Sequence, residues 1–183
     1  MSKGKLFAKL TTMFRHFLFI IFCLVSFIGF GQKIKTKEID KFTKAETIES
    51  SLETLYSVNF MGSGWCNKFE FCIRRVNGEY AMPANILMNE IVKYTENDGI
   101  FLLLEDNSTI FLKTSYTGVG GEAFAKGYWF NTSFRLSPTD VEKLKNHKVT
   151  SIRIKFMGGH YDRDLKKNKQ ELIMKSLKLF DSL

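Results

Sequence analysis

The chain has 183 residues, 44% of them hydrophobic, with 27 Lys and Arg against 19 Asp and Glu. Much of its net charge of +8 belongs to residues 1–31, where Lys3, Lys5, Lys9 and Arg15 stand without an acid, so that the remainder carries only +4. Interspersed charge of that size argues against a nucleic-acid partner, which gathers basic residues on one face. A remainder of about 150 residues, without repeats or a Pro-rich linker, suits one domain with its own core.

In chain order, the basic residues run into "FLFIIFCLVSFIGF" at 17–30, fourteen positions interrupted only by Ser26 and Gly29. A spanning helix needs about 20 apolar residues, so this run is short for an anchor and reads as the h-region of a secretory signal peptide. Gly29 and Gly31 supply small residues for cleavage between Gly31 and Gln32, and either Met1 or Met13 as start leaves the same mature domain, 32–183. Phe22 before Cys23 does not fit a lipobox. The expectation is an exported protein, periplasmic or extracellular, with no stable membrane span after cleavage.

Past a polar lead-in, residues 39–56 can be drawn two ways. Ile39, Phe42, Ile48, Leu52 and Leu55 fall at helical intervals, whereas Thr47 and Ile48 favour strand. "FEFCIRRV" (69–76) alternates Phe69, Phe71 and Ile73 against Glu70, Cys72 and Arg74, a strand pattern. Cys66 and Cys72 are either bridged or plain thiols. One extended strand across 66–72 would hold their Cα atoms about 20 Å apart, beyond the roughly 7 Å limit, so a bridge needs a turn near Asn67. "PANILMNEIV" (83–92) stays open between helix and strand.

"IFLLLE" (100–105) and "STIFLKT" (108–114) flank Asp106 and Asn107, residues that tolerate the left-handed conformations of a hairpin turn. "TGVGGEAFAKG" (117–127) is read as a flexible connection. Its Lys126 is followed by Gly127 and not by Ser or Thr at a helix start, so it is no phosphate loop. "YWFNTSFRL" (128–136) alternates perfectly, with Phe130 and Phe134 on one face and Trp129 on the other, where the C-terminal helix is expected to cover it. Ser137, Pro138 and Asp140 start a short helix near 138–147, whose last residue, His147, serves the exposed carbonyls. "TSIRIKF" (150–156) is a strand. The lysine-rich end predicts a helix near 166–180, its lysine cluster at 166–169 lying on a solvated face.

The order of a lead strand with "EIDKF", a hairpin ending in "LLLEDNSTIFL", then "LSPTDVEKLKNHKVTSIRI", a short strand with two aspartates and a lysine-rich terminal helix resembles a loose group of small exported proteins of Bacteroidota-type bacteria. The ending "GFGQ" is similar too. The resemblance implies a mainly antiparallel β domain with a C-terminal helix, and a "DKF" segment that is strand. It carries no catalytic motif and implies no substrate.

The fold expected is therefore α+β, a mainly antiparallel sandwich or half-barrel. For chemistry, Cys66 or Cys72 with His147 or His160 lacks any local signature of a nucleophilic pair. Glu70, Glu90, Glu105, Asp106, Asp162 and Asp164 are the acids available for glycoside hydrolysis, which needs two of them about 5–10 Å apart. "FMGGHYDRD" (156–164) reads as a glycine hairpin whose His160, Asp162 and Asp164 share one outer face, too spaced for a closed metal site. No catalytic residue, metal or cofactor is assigned. The first expectation is a non-catalytic binding module for an envelope protein or a glycan, with Trp65, Tyr116, Tyr128 and Trp129 as candidate contacts. The alternative is a small envelope hydrolase whose acids or cysteine converge only in three dimensions.

Overall fold

The computed structural model describes residues 32–59, 66–115, 118–119, 123–124 and 127–183. The predicted signal segment, its cleavage residue Gly31, Trp65, Tyr116, Lys126 and the side chain of Cys66 lie outside the described residues. Gln32–Leu183 is a single unit whose described residues form two large antiparallel sheets, a two-stranded ribbon and a helical plug.

The first sheet is a meander of bent strands. β1 (Ile34–Ile39) pairs with β2 (Glu46–Ser50), and β3 (Glu53–Asn59) continues β2 after Ser51 and Leu52. β4 (Cys66–Phe71) pairs with β3, and β5 (Arg74–Val76) continues β4 and pairs with β2. β6 (Glu79–Met88) closes both, holding β5 along Glu79–Ala81 and β4 along Ala84–Leu87. The two long strands thus bend together at Ser50 and Ile73. There the buried Ser50 Oγ accepts the Ile73 N–H at 2.9 Å and donates to Ser51 O at 3.2 Å, replacing ladder bonds that the bend removes.

Both open stretches resolve as strand. Residues 39–56 hold the end of β1, all of β2 and the start of β3, and "PANILM" is the second half of β6. The expected "DKF" strand is corrected to a turn: Asp40 Oδ1 accepts the N–H groups of Phe42 and Thr43, Lys44 takes a positive φ of 59°, and Phe42 is left 82% exposed. An aspartate that satisfies the amides two and three residues on ends a strand more effectively than the apolar Phe42 extends it.

The second sheet runs β14-β13-β8-β9, from β8 (Gly99–Leu104), β9 (Thr109–Lys113), β13 (Val149–Phe156) and β14 (Gly159–Asp164). The β8–β9 hairpin forms as expected, with Asn107 at φ 66° and Asp106 Oδ1 accepting the Ser108 N–H at 2.9 Å. β12 (Gly127–Leu136) pairs with β6 along its length and joins the second sheet at one corner through a Thr114–Phe134 bridge. Within the glycine-rich segment the described pieces are two short strands, β10 (Gly118–Val119) against β7 (Lys93–Tyr94) and β11 (Ala123–Phe124) against β12.

The inner faces make the core. Phe69, Phe71, Met82, Ile86, Phe130 and Phe134 come from the first sheet, Ile100, Leu102, Leu112, Ile152 and Ile154 from the second, and all are buried. Each side chain so removed from water contributes roughly 1.5–3 kcal/mol. Tyr94 from β7 stacks on Phe130 with ring centroids 3.9 Å apart.

Two helices plug one end. α1 (Pro138–Asn146) starts in the expected capping box, Ser137 Oγ accepting the Asp140 N–H at 3.1 Å and Asp140 accepting the Ser137 N–H at 3.0 Å. α2 (Leu172–Lys178) continues into a 3-10 turn, Leu179–Ser182. The expected helix at 166–180 is corrected at its start, since 167–171 are turns and the lysine cluster sits on them. Ile173, Leu177 and Phe180 join the inner core, Phe180 edge-on to Tyr80 at 5.6 Å. The expected cover over Trp129 is corrected accordingly: Trp129 lies on the opposite face of β12, half-buried beside Leu87 and away from this plug.

Candidate functional site

The register of the second sheet sets its outward side chains in three rows. Asp162, Arg153, Phe101 and Phe111 form one; Asp164, Ser151, Leu103 and Thr109 the next; His160, Lys155, Gly99 and Lys113 the third. Successive rows lie about 7 Å apart and strands about 4.8 Å apart, so the face measures roughly 14 by 15 Å. Its β14–β13 half is charged and its β8–β9 half is apolar. Phe101 and Phe111 meet with centroids 4.5 Å apart, and Leu103 (37%) and Phe111 (41%) stay exposed. Among the described residues no helix packs on this face. Gly99 is there because a Cβ would stand 2.2 Å from the Leu112 carbonyl oxygen, a backbone approach only glycine permits.

Two grooves flank β9. One, of about 560 Å³, lies on the face itself between Phe101, Leu103, Thr109, Ser151, Arg153 and Asp162. The other, of about 580 Å³, lies beyond β9, walled by Phe111 and Lys113 on one side and by Arg135, Leu136, Pro138 and Val141 on the other.

The charged half is made of matched pairs. Arg153 grips Asp162 with two bonds, Nε to Oδ1 at 2.7 Å and Nη2 to Oδ2 at 2.6 Å. That fork holds the Asp162 carboxyl below its ordinary range and raises Arg153 in turn. His160 Nε2 stands 3.9 Å from Asp162 Oδ2, and Asp164 accepts Ser151 Oγ at 2.9 Å. The stretch 156–164 is therefore the predicted hairpin, turned at Gly158 (φ 89°), with its polar row on the outer face. Among the described residues no group of three or more His, Cys, Asp and Glu could hold a metal ion.

The other sequence candidates are dispersed. Cys66–Phe71 is one unbroken strand and Cys72 is a free, buried thiol, so the bridge is excluded for the reason the extended geometry supplies. Burial first, and then Glu49, push that thiol up to about 11, the reverse of an activated nucleophile. His147 caps α1, its N–H donating to Lys143 O at 2.9 Å, and His160 belongs to β14, so neither shares a strand or sheet with Cys72.

The six acids are each engaged elsewhere. Glu70 meets Lys68 at 2.5 Å, Glu90 accepts the Tyr161 hydroxyl, Glu105 accepts the Lys148 N–H at 3.2 Å and Asp106 closes its turn on Ser108. Asp162 is held by Arg153 and Asp164 by Ser151, and none of these contacts joins one carboxylate to another.

Phe101, Leu103 and Phe111 escaped the sequence reading. The signal was present, because "IFLLL" and "TIFLK" place large apolar groups at both alternating positions. That pattern usually means a sheet covered on both faces, and here one face is bare. No family model, curated protein or solved structure matches the chain.

Proposed function

We propose that this chain is an exported, non-catalytic binding module that takes its partner on the outer face of the β14-β13-β8-β9 sheet. The observation that carries the reading is exposed Leu103 and Phe111 with half-buried Phe101, set beside the Arg153–Asp162 fork on a sheet face that no described helix covers. Aromatic and aliphatic anchors with a polar border are what a binding surface uses, and isolated exposed residues would not need a shared row. Export rests on the basic start followed by the fourteen-residue apolar run before Gly31 and Gln32. The partner class is an envelope protein or a glycan. The hydrolase reading draws no support from the grooves, where the charged contacts are the arginine pairs Arg153–Asp162 and Arg135–Glu79 and no two described carboxylates face each other in contact.

The test pairs fractionation with binding. Cells expressing the chain are separated into cytosol, periplasm and medium, and the recovered protein is assayed on immobilised envelope glycans and by crosslinking to envelope proteins, beside L103S and F111S. Each variant is expected to stay folded with a cooperative melt, lowered by about 1–2 kcal/mol for the lost burial, and to lose at least tenfold in binding at a temperature where both are folded. Undiminished binding of both variants defeats the assignment of the face, and recovery in the cytosol with residues 1–31 intact defeats the export.

A further inference from the structure

The groove beyond β9 is bounded by backbone as well as by side chains. β9 is the last strand of its sheet. In the β8–β9 hairpin, Leu104 N donates to Ser108 O at 2.9 Å and Thr114 N to Asp98 O at 3.1 Å. Antiparallel ladders alternate, so residues 108, 110, 112 and 114 turn their polar groups toward β8, and Thr109, Phe111 and Lys113 turn theirs toward the groove. Across it, Ser133 O accepts the Ser115 N–H at 3.0 Å, pointing away from β6. By the same alternation Arg135 turns away from β6 as well, and the Thr114–Phe134 bridge directs its N–H to the Lys113 carbonyl, so β12 offers the groove only the Arg135 C=O.

The two strands touch at the Thr114–Phe134 bridge and then part, and the 580 Å³ groove fills the opening between them. It is a cleft alongside the β9 edge, which no other described strand pairs along Thr109–Phe111. A strand edge left open is a template for another strand, and proteins guard such edges with charge or cover. β1 presents Lys35, Lys37 and Glu38, and β14 presents His160, Asp162 and Asp164. β9 carries one charge, Lys113, and a groove alongside it.

From this we infer that the groove takes one extended peptide segment of a partner protein, added to the β9 edge as a further strand. This rests on the binding-module reading and names its partner class as protein. Backbone complementarity requires an extended chain, which a glycan does not offer. The five residues Thr109–Lys113 span about 17 Å, enough for five or six peptide residues. Phe111, Leu136 and Val141 receive an apolar side chain from the peptide, and Lys113 selects a carboxylate beside it. Arg135 is occupied by Glu79 at 2.9 Å.

The probe is an acetylated eight-residue peptide alternating valine with threonine and glutamate, titrated into the purified chain and followed by amide NMR shifts and hydrogen exchange. Saturable binding is expected below about 1 mM, a weak affinity typical of a short flexible strand. The amides of Thr109, Phe111 and Lys113 are expected to shift and to gain protection. The same peptide methylated on alternate amide nitrogens loses edge bonding and is expected to bind at least tenfold more weakly. K113E is expected to weaken the glutamate peptide and to favour its lysine counterpart.

Absence of binding, or equal binding of the methylated peptide, overturns the inference. Shifts confined to Ser151, Arg153 and Asp162 also overturn it while leaving the outer-face module standing. Self-association of the chain through Thr109–Lys113, read by sedimentation equilibrium, replaces the partner with a second copy and overturns it equally.

Discussion

Ser50 is the residue on which the bend of the first sheet depends, and its removal has a calculable cost. Its side chain is fully buried, its Oγ accepts the Ile73 N–H at 2.9 Å, and its own hydroxyl donates to Ser51 O at 3.2 Å. S50A deletes the acceptor and leaves the Ile73 amide buried beside a methyl group. An unsatisfied buried donor costs about 1–3 kcal/mol, and the change in volume is too small to admit a water in compensation. The expected loss is about 2 kcal/mol, which for a domain of 150 residues lowers Tm by about 4–8 °C. Urea unfolding followed by tryptophan fluorescence measures it directly. S182A provides the comparison, because Ser182 is an exposed hydroxyl bonded to Leu179 O at 3.1 Å and its loss stays within about 0.5 kcal/mol. If S50A unfolds within that same margin, the bend does not rest on the hydroxyl and the reasoning fails.

Other outcomes follow from the same geometry. G99A drives a Cβ into the Leu112 carbonyl oxygen and is expected to cost about 1–3 kcal/mol in the same assay, with an unchanged melt counting against the close approach. Glu171 is held down to about 2 by hydrogen bonds from Lys148 and then Lys175, against an ordinary 4.5. A depressed carboxylate stabilises the fold above its unfolded pKa, so this contribution is complete above pH 4.5 and is lost as pH falls toward 2. Thermal melts of E171Q against the parent are expected to diverge above pH 4.5 and to converge as pH approaches 2. Cys72, with its thiol pushed up to about 11, is expected to resist alkylation at pH 8 in the native chain and to react after denaturation, as read by mass spectrometry of the peptide that contains it.

The wider arrangement ties these local effects to binding. The core side of the second sheet is held by Ile100, Leu102, Leu112, Ile152 and Ile154, so the outer rows stand on a rigid support. Phe111 lines the groove beyond β9, and its ring packs on Phe101, which lines the groove on the outer face. A partner strand on the β9 edge would therefore reach the outer face directly.

What sequence alone determined was whatever depends on neighbours along the chain. The alternation in 128–136 and 150–156, the Asp106–Asn107 turn, the Ser137–Pro138–Asp140 start of α1 and the hairpin at Gly158 are local, because backbone geometry and capping act within a few residues. The dispersal of His160, Asp162 and Asp164 along one outer row followed from strand spacing by itself. Tertiary structure decided everything that depends on which surfaces meet. Residues 39–56 carry helical spacing and strand propensity together, and pairing with β1, β4 and β5 chose strand. The C-terminal helix is short because 167–171 turn to bring Ile173, Leu177 and Phe180 into the open end of the core, and not onto Trp129. The apolar groups Phe101, Leu103 and Phe111 look like core in sequence. Leu103 and Phe111 are exposed and Phe101 half-buried because burial belongs to a sheet's neighbours, and among the described residues the second sheet has one on its inner side alone.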